Sequence, residues 1–459
     1  MTLRFLAFLL SILIGESVLN AQNTTTILPV TSIQIEGNSK TKESIILREL
    51  SFKVGQQLTE AELKDDYLPR SIAMLKNLNL FNDIDIVYKT TPEGFLTTIR
   101  VVEKWYWWPI PFVEFADRNF NQWYTFDFDP YRTNIGFYLF KYNLFGLNHT
   151  AKLTLGKGYT NTIGFEYIAP YVDNRKRFGF EIDIRNKINQ EIQYGLLNNE
   201  PQFFRTDKQK IIEQFQSRVK LIYRPQLFLT HGLNLEISNT SVSDTVLSEG
   251  INENYLYKSL PNQNETILGY EVAFDKRNNR LLPIKGTFIN GSINYHSLNK
   301  SDLKYVSVGL EAARYISFDS TKFSIALAGR VKSATERGLP FHLNKILGFD
   351  DYIRGYENNV FLGQSMALAK IEIRYHIIKE RKIKWQYMPL RSYKQMPIES
   401  YLSAFTDIGS ALNGDTRQEL FGYGFGVNAL FYFDKVVRFE YSWNHWNQGG
   451  IKIHFKKAF

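Results

Sequence analysis

Beyond residue 105 the chain is a succession of segments in which apolar and polar side chains alternate, each closed by a polar loop. A period of two sends successive side chains to opposite faces of a strand, so every such segment reads as a strand with one greasy and one wet face. The clearest lie at 134–142, 149–156, 178–185, 219–223, 285–295, 305–315, 323–331, 367–375, 401–408, 423–433, 437–443 and 451–459. With weaker segments added, the pattern predicts about sixteen strands, the even-numbered range of single-chain bacterial membrane barrels. Several exceed the usual strand length of soluble sheets, and no blade-length repeat of a propeller is present. In the closing segment Ile451, Ile453, Phe455 and Phe459 fall on one side, with Lys452, His454 and Lys456 on the other. Lys457 breaks the apolar side near its end, where a long stem reaches the interface. Charge at a bilayer midplane costs about 2–4 kcal/mol, so the Lys and His face must look into a wet lumen.

Residues 28–104 have another texture. Ile33 and Ile35 alternate with polar neighbours into a Gly37-Asn38 turn. Thr41 is placed to cap a short helix carrying Ile45, Ile46 and Leu50. Thr59 and Glu62 have capping-box spacing, and the stripe Leu63, Leu68, Ile72, Leu75, Leu78 predicts a second helix kinked at Pro69. Two strands, at 84–88 and 96–102, close a β-α-α-β-β unit across a Pro92-Glu93-Gly94 turn. The Ile33-x-Ile35-x-Gly37-Asn38 opening, Gly55, Leu78-Asn79-Leu80-Phe81 and the closing Val102-Glu103 resemble a polypeptide-transport-associated (POTRA) domain. The division expected is therefore a signal peptide at 1–21, a POTRA-like domain at 28–104 and an all-β, sixteen-stranded transmembrane barrel at 105–459. The leader reading rests on Arg4, the short apolar run 5–14 and a cleavage position after Ala21.

Composition sharpens this. Aromatic residues reach 15%, with 35 Phe and 27 Tyr, yet mean hydropathy is only −0.27, as alternating strands require and membrane helices do not. The absence of cysteine excludes a disulfide framework, a thiolate metal site and a lipid-modified Cys. Lys and Arg are scattered through the chain, whereas a nucleic-acid binder would cluster them on one face, and a basic surface facing anionic lipid is an equally good account of the net charge of +9. No nucleophile elbow, zinc-protease motif or phosphate loop is present, so no enzyme, metal or cofactor is implied, although a hydrolase assembled in space from scattered His and Asp stays open.

The most specific chemistry lies between Leu347 and Asp407. A long connection between two strands carries Arg354-Gly355-Tyr356, and Glu372 and Asp407 follow on lumen-facing positions. An arginine at a loop tip can fold back onto carboxylates, because its planar fork binds them bidentately and keeps its proton. The bland alternative is an exposed loop with a chance tripeptide. This constellation resembles the BamA/TamA-type outer-membrane assembly superfamily (the bacterial surface antigen family), whose sixth extracellular loop tucks an Arg-Gly-Phe/Tyr motif into the lumen. The resemblance implies that Arg354, Gly355 and Tyr356 lock the loop and that Glu372 and Asp407 receive the arginine. Two further matches are Asp275-x-Arg277 leading to Pro283-x-x-Gly286, a strand-turn-strand element, and the aromatic-Pro turn Tyr167-Ile168-Ala169-Pro170-Tyr171.

Closing the barrel must join the first strand, near 109–115, to the last. Pro109 and Pro111 lack an N–H, so the joint with Ile451, Phe455 and Phe459 should be short of ladder bonds, unless these prolines only end the linker. In the family this joint is the lateral seam that templates incoming strands. The resemblance implies assembly of unfolded outer-membrane or secreted polypeptides, with outer-membrane lipid and accessory assembly subunits as partners and the POTRA domain in the periplasm. A single POTRA-like domain, where the best-known assembly factors carry several, leaves an accessory relative or a dedicated secretion pore open beside the principal insertase. A passive porin is the rival from another class. The tryptophan cluster Trp105-Tyr106-Trp107-Trp108 suits either the inner membrane interface or packing against the rim.

Overall fold

The computed structural model describes residues 26–115, 127–206, 210–248, 251–299, 302–318, 321–388, 394–432 and 435–454. The expected signal peptide, Phe455 and Phe459 lie outside these residues.

The N-terminal unit is built from β1 (Ile27–Glu36), α1 (Glu43–Arg48), β2 (Gln57–Thr59), a helix α2, β3 (Phe81–Thr91) and β4 (Gly94–Glu103). Helix α2 runs through an α turn at Glu60–Glu62, a π-helical stretch at Leu63–Tyr67 and an α-helix at Leu68–Asn77. The strands form one sheet in the order β2-β1-β4-β3, and both helices bury Ile45, Ile46, Leu63 and Leu75 against it. The Thr59–Glu62 capping box forms as its spacing predicts. Pro69 is absorbed where the π-helical stretch hands over to α-helix, since a proline has no N–H for the preceding turn. Thr41 does not cap α1. Lys42 stands at that position without a side-chain bond, and the Thr41 hydroxyl is spent on the Glu103 carboxylate at 2.6 Å. The short strand β2 has no counterpart in the sequence reading, because three residues carry no period.

The rest of the chain forms a sixteen-stranded antiparallel sheet, curled into a barrel. Its first half comprises β5 (Trp107–Phe115), β6 (Thr133–Leu144), β7 (His149–Gly158), β8 (Thr160–Ala169) and β9 (Phe178–Asn189). A separate hairpin, β10 (Glu191–Leu197) and β11 (Glu200–Arg205), precedes β12 (Ile212–Tyr223), β13 (Leu229–Val242) and β14 (Asn262–Asp275). There follow β15 (Gly286–Asn299), β16 (Lys304–Ser317) and β17 (Phe323–Ala334), then a loop pinched by the small pair β18 (Lys345–Leu347) and β19 (Phe361–Leu362). The sheet ends with β20 (Ser365–Lys384), β21 (Gln395–Asn413), β22 (Thr416–Phe431), β23 (Lys435–Asn444) and β24 (Gly449–His454).

Burial is inverted relative to a soluble protein. Ile135, Phe165, Leu235, Ile293, Ile373, Ile408 and Phe439 are exposed on the outer wall, while Arg354, Glu372, Arg374, Asp407, Arg438 and Glu440 are buried inside. Only a hydrocarbon surround makes the first set favourable, and only a polar lumen the second. No helix among the described residues is long and apolar enough to cross a membrane; the strands do so. At the end remote from the N-terminal unit, Ile192, Val246, Tyr255, Leu256 and Phe341 pack into a roof over the mouth.

Candidate functional site

The loop between β17 and β20 descends into the lumen and is fixed at successive points. Asp351 is held by Arg330 and by Lys332, the latter at 2.5 Å. Ile353 packs with Leu347, Met366, Leu368 and Leu420. The Tyr356 hydroxyl meets His445 and donates to the Phe421 carbonyl at 3.3 Å, and its ring stands edge-on to Trp446. Gly355 has φ +97, and a Cβ there would lie 2.6 Å from the Trp443 carbonyl oxygen, so glycine is required by both dihedral and space.

Arg354 ends in the most enclosed charge cluster among the described residues. Its Nε and Nη2 donate to the two oxygens of Asp407 at 3.0 and 2.7 Å, its backbone N–H donates to the same carboxylate at 3.0 Å, and Nη1 donates to Glu372 at 2.5 Å. The guanidinium plane covers Phe405 at 3.6 Å from its ring centre, a stacking that a lysine would not reproduce. All three charged side chains are fully buried. The glycines of β22 make room: a Cβ at Gly422 would collide with the Arg354 carbonyl oxygen. Register puts Glu372 on β20 and Asp407 on β21 on neighbouring lumenal rows, with Lys370 opposite Asp407. The structure thus brings Arg354, Glu372 and Asp407 together and places Arg354 in a buried position rather than an exposed one.

The cluster extends to residues that the sequence reading did not single out. Arg374 donates to the second oxygen of Glu372 at 2.6 Å, Asn428 to the same oxygen at 3.3 Å, and Glu440 approaches Arg354 at 3.6 Å while binding Arg438. Their positions were available, since 370, 372 and 374 share one face of β20 and 438, 440 and 442 one face of β23. Lumenal charges are too common for that to mark them.

Arg374 also donates to the Pro283 carbonyl at 2.5 Å, which joins the cluster to the turn between β14 and β15. In that turn Arg277 grips Asp275 through Nε and Nη2 at 2.8 and 2.9 Å and lies over Phe288, and Gly286 has φ +118. Asp275, Arg277, Pro283 and Gly286 thus lie in one hydrogen-bonded turn at the rim. The N-terminal unit docks on it: Asn77 at the end of α2 donates to the Arg277 carbonyl and accepts from the Arg280 N–H.

Other rim turns hold the same unit. Lys42 N–H bonds the Gly146 carbonyl, and Arg224 grips the buried Glu49 at 2.5 and 2.8 Å with Tyr171, from the aromatic-Pro turn, beside it. Burial raises the Glu49 carboxyl, but the charge and hydrogen bonds of Arg224 outweigh it and hold the group below the usual carboxylate range. On the far side Lys76 pairs with Glu380 and Asp83 with Lys382, both at 2.6 Å.

Pro109 and Pro111 lie inside β5, in register with Leu139 and Phe137, rather than in the linker. The Tyr142 N–H bonds the Tyr106 carbonyl, which sets the phase: even residues of β5 bond β6, and odd residues turn their backbone groups to the other edge. That edge therefore lacks donors at 109 and 111. Among the described residues no ladder joins β5 to β24, which carries Ile451 on its outer face and Lys452 inside.

Comparison with known proteins follows this geometry. Residues 143–443 match the model of the Omp85 superfamily domain, and residues 29–104 match a POTRA model described as a surface antigen variable number repeat. The fold is similar to BamA from Haemophilus ducreyi lacking POTRA domains 1-3, at 13% identity and a TM-score of 0.50, over 93% of this chain and 84% of that one. It is also similar to CdiB from Escherichia coli, at 9% identity and a TM-score of 0.52, over 93% and 75% of the two chains. No curated protein sequence matches the chain.

Proposed function

Because the chain belongs to the Omp85 superfamily, we propose that it inserts or translocates polypeptides at the outer membrane through a lateral seam between β5 and β24. The protein is an outer-membrane barrel with a periplasmic POTRA domain, and superfamily membership supports assembly or transport of polypeptides. The observation that carries the finer reading is the buried Arg354–Glu372–Asp407 cluster with the loop it holds. A loop fixed inside the lumen, a packed cluster at the outer end and a docked domain support this reading over a passive pore. The edge of β5 turned away from β6 adds the second half: it offers acceptors at 109 and 111 without donors, so its joint to β24 is the cheapest place to part the cylinder. Arg354, Gly355 and Tyr356 act in this reading as the loop lock.

The test exploits the absence of native cysteine. Val113 and Ile451 both face outward near the joint, so Val113→Cys with Ile451→Cys, and neighbouring pairs, are screened for a disulfide. A locked seam is expected to stop the appearance of folded outer-membrane or secreted polypeptides, and a reductant to restore it. Full activity in the oxidised, quantitatively cross-linked protein overturns the seam. A census of the outer membrane after depletion then separates a general insertase, which loses many proteins, from a pore dedicated to one.

A further inference from the structure

On the periplasmic side β20 continues past its pairing with β17, which ends at Tyr375, and stays paired with β21 as far as Lys384 and Gln395, ahead of the β21–β22 pairing that starts at Ile398; the two arms of this hairpin are described over 376–388 and 394–400. Within 377–398 the sequence has four lysines and two arginines against one glutamate, more than half of the net +9 of the whole chain. Basic residues are thus not evenly scattered; this one projection concentrates them.

The two faces of the hairpin differ. Glu380 and Lys382 turn to the POTRA domain, where they meet Lys76 and Asp83. The opposite face is set by register. Arg381 lies across from Ile398, Ile383 from Met396, and the Trp385 N–H bonds the Lys394 carbonyl at 2.7 Å. Directly opposed residues share a face, so Arg381, Ile383, Trp385, Lys394, Met396 and Ile398 form one surface. It continues the lipid-facing row of the barrel, because β21 pairs with β22 without a bulge and its even residues Ile408 and Leu402 are exposed on the outer wall. Two bulges in β20, between 376 and 381, keep its partner residues in step. The surface therefore begins where the apolar band ends. Trp385 and Ile383 are half exposed, Tyr387 almost fully so, and Lys379, Arg381, Lys384 and Lys394 pair with no carboxylate among the described residues.

We propose that this outward face docks on anionic phospholipid headgroups of the periplasmic leaflet, with Trp385, Ile383 and Met396 in the interfacial layer and Arg381 and Lys394 on the phosphates. Tryptophan and tyrosine prefer that layer, and basic residues beside it gain from a negative surface. The hairpin then holds the POTRA domain, gripped by its other face, close beneath the membrane. This role is independent of what the seam does with clients.

A single Met396→Cys in the full chain, carrying an environment-sensitive fluorophore, is reconstituted in phosphatidylethanolamine vesicles with or without phosphatidylglycerol. The probe should be quenched by a headgroup-level nitroxide lipid and shielded from aqueous iodide, more so with phosphatidylglycerol present. A probe at Val54→Cys, exposed on the POTRA domain, should behave oppositely. Arg381→Glu with Lys394→Glu should lower the lipid-dependent signal by more than about fivefold, with heat-modifiable migration confirming a folded barrel. Lipid quenching that ignores phosphatidylglycerol overturns the headgroup assignment. Iodide access equal to that at residue 54, or shielding that appears only when an acidic polypeptide is added, overturns lipid docking altogether.

Discussion

Replacing Arg354 by alanine removes the guanidinium that Asp407 holds through both oxygens, while Glu372 keeps Arg374. Breaking a fully buried pair by deleting one partner costs about 3–5 kcal/mol, because the other charge is left without compensation. Lys370, whose Nζ lies 3.9 Å from Asp407, partly takes over and places the expected loss at the lower end. About 3 kcal/mol shifts the equilibrium between docked and released loop by a little over a hundredfold. A cysteine at Ile353, which is 2% exposed, reports that equilibrium directly. A thiol reagent should modify it slowly in the parent protein and roughly a hundredfold faster with Arg354→Ala. Arg354→Lys should fall between, keeping the charge while losing the fork and the Phe405 stacking. Labelling rates in Arg354→Ala within twofold of the parent would refute the claim that this cluster, rather than the apolar packing around Ile353, holds the loop.

Further expectations follow from the same geometry. Gly422→Val forces a side chain into the Arg354 carbonyl and should release the loop about as fully as Arg354→Ala, by the same labelling rate. Arg374→Ala should loosen both the loop and the turn at Pro283, detectable as faster proteolysis of 276–285. Glu49 has a lowered pKa when docked, so its contribution is fully present above the ordinary carboxylate value and is lost as pH falls through the lowered one. Energy transfer between a POTRA label and a barrel label should decline on acidification, and Glu49→Gln should show the weakened state at every pH. Pro109→Ala with Pro111→Ala returns two donors to the edge of β5 turned away from β6, each worth about 0.5–1.5 kcal/mol if paired. The midpoint of heat-modifiable unfolding should rise while client assembly slows.

The alternation of side chains carried most of the architecture, because a barrel in lipid repeats one rule, greasy outside and wet inside, for every strand. Glu372 was legible as lumenal from Lys370 two positions earlier. The arginine that meets it was legible only through a motif, since a loop has no period to announce where its tip goes. Arg374 and Glu440 were missed for the opposite reason: their lumenal position is plain, but nothing local distinguishes a charge in a network from one in water. Glu49 and Arg224 lie far apart in sequence, and only the folded rim brings them together. Thr41 was misassigned because a hydroxyl near a helix start has two uses, and Glu103, from the end of β4, claimed it. The hairpin arms at 376–388 and 394–400 escaped notice because two bulges break the period just where β20 leaves the membrane.

The docking of the POTRA domain has a mechanical consequence. It is tied at once to the turn beside the first strand, through Lys42 and Gly146, and to the base of the β20–β21 hairpin near the other end of the sheet, through Asp83 and Lys382. These anchors flank the stretch of β5 whose backbone has two missing donors. In the proposed reading the domain is a clasp across the span where the hoop parts, lending it cohesion from outside. A chain tugging on that clasp would slacken the periplasmic end of the joint first, so threading and parting become one movement with a single direction.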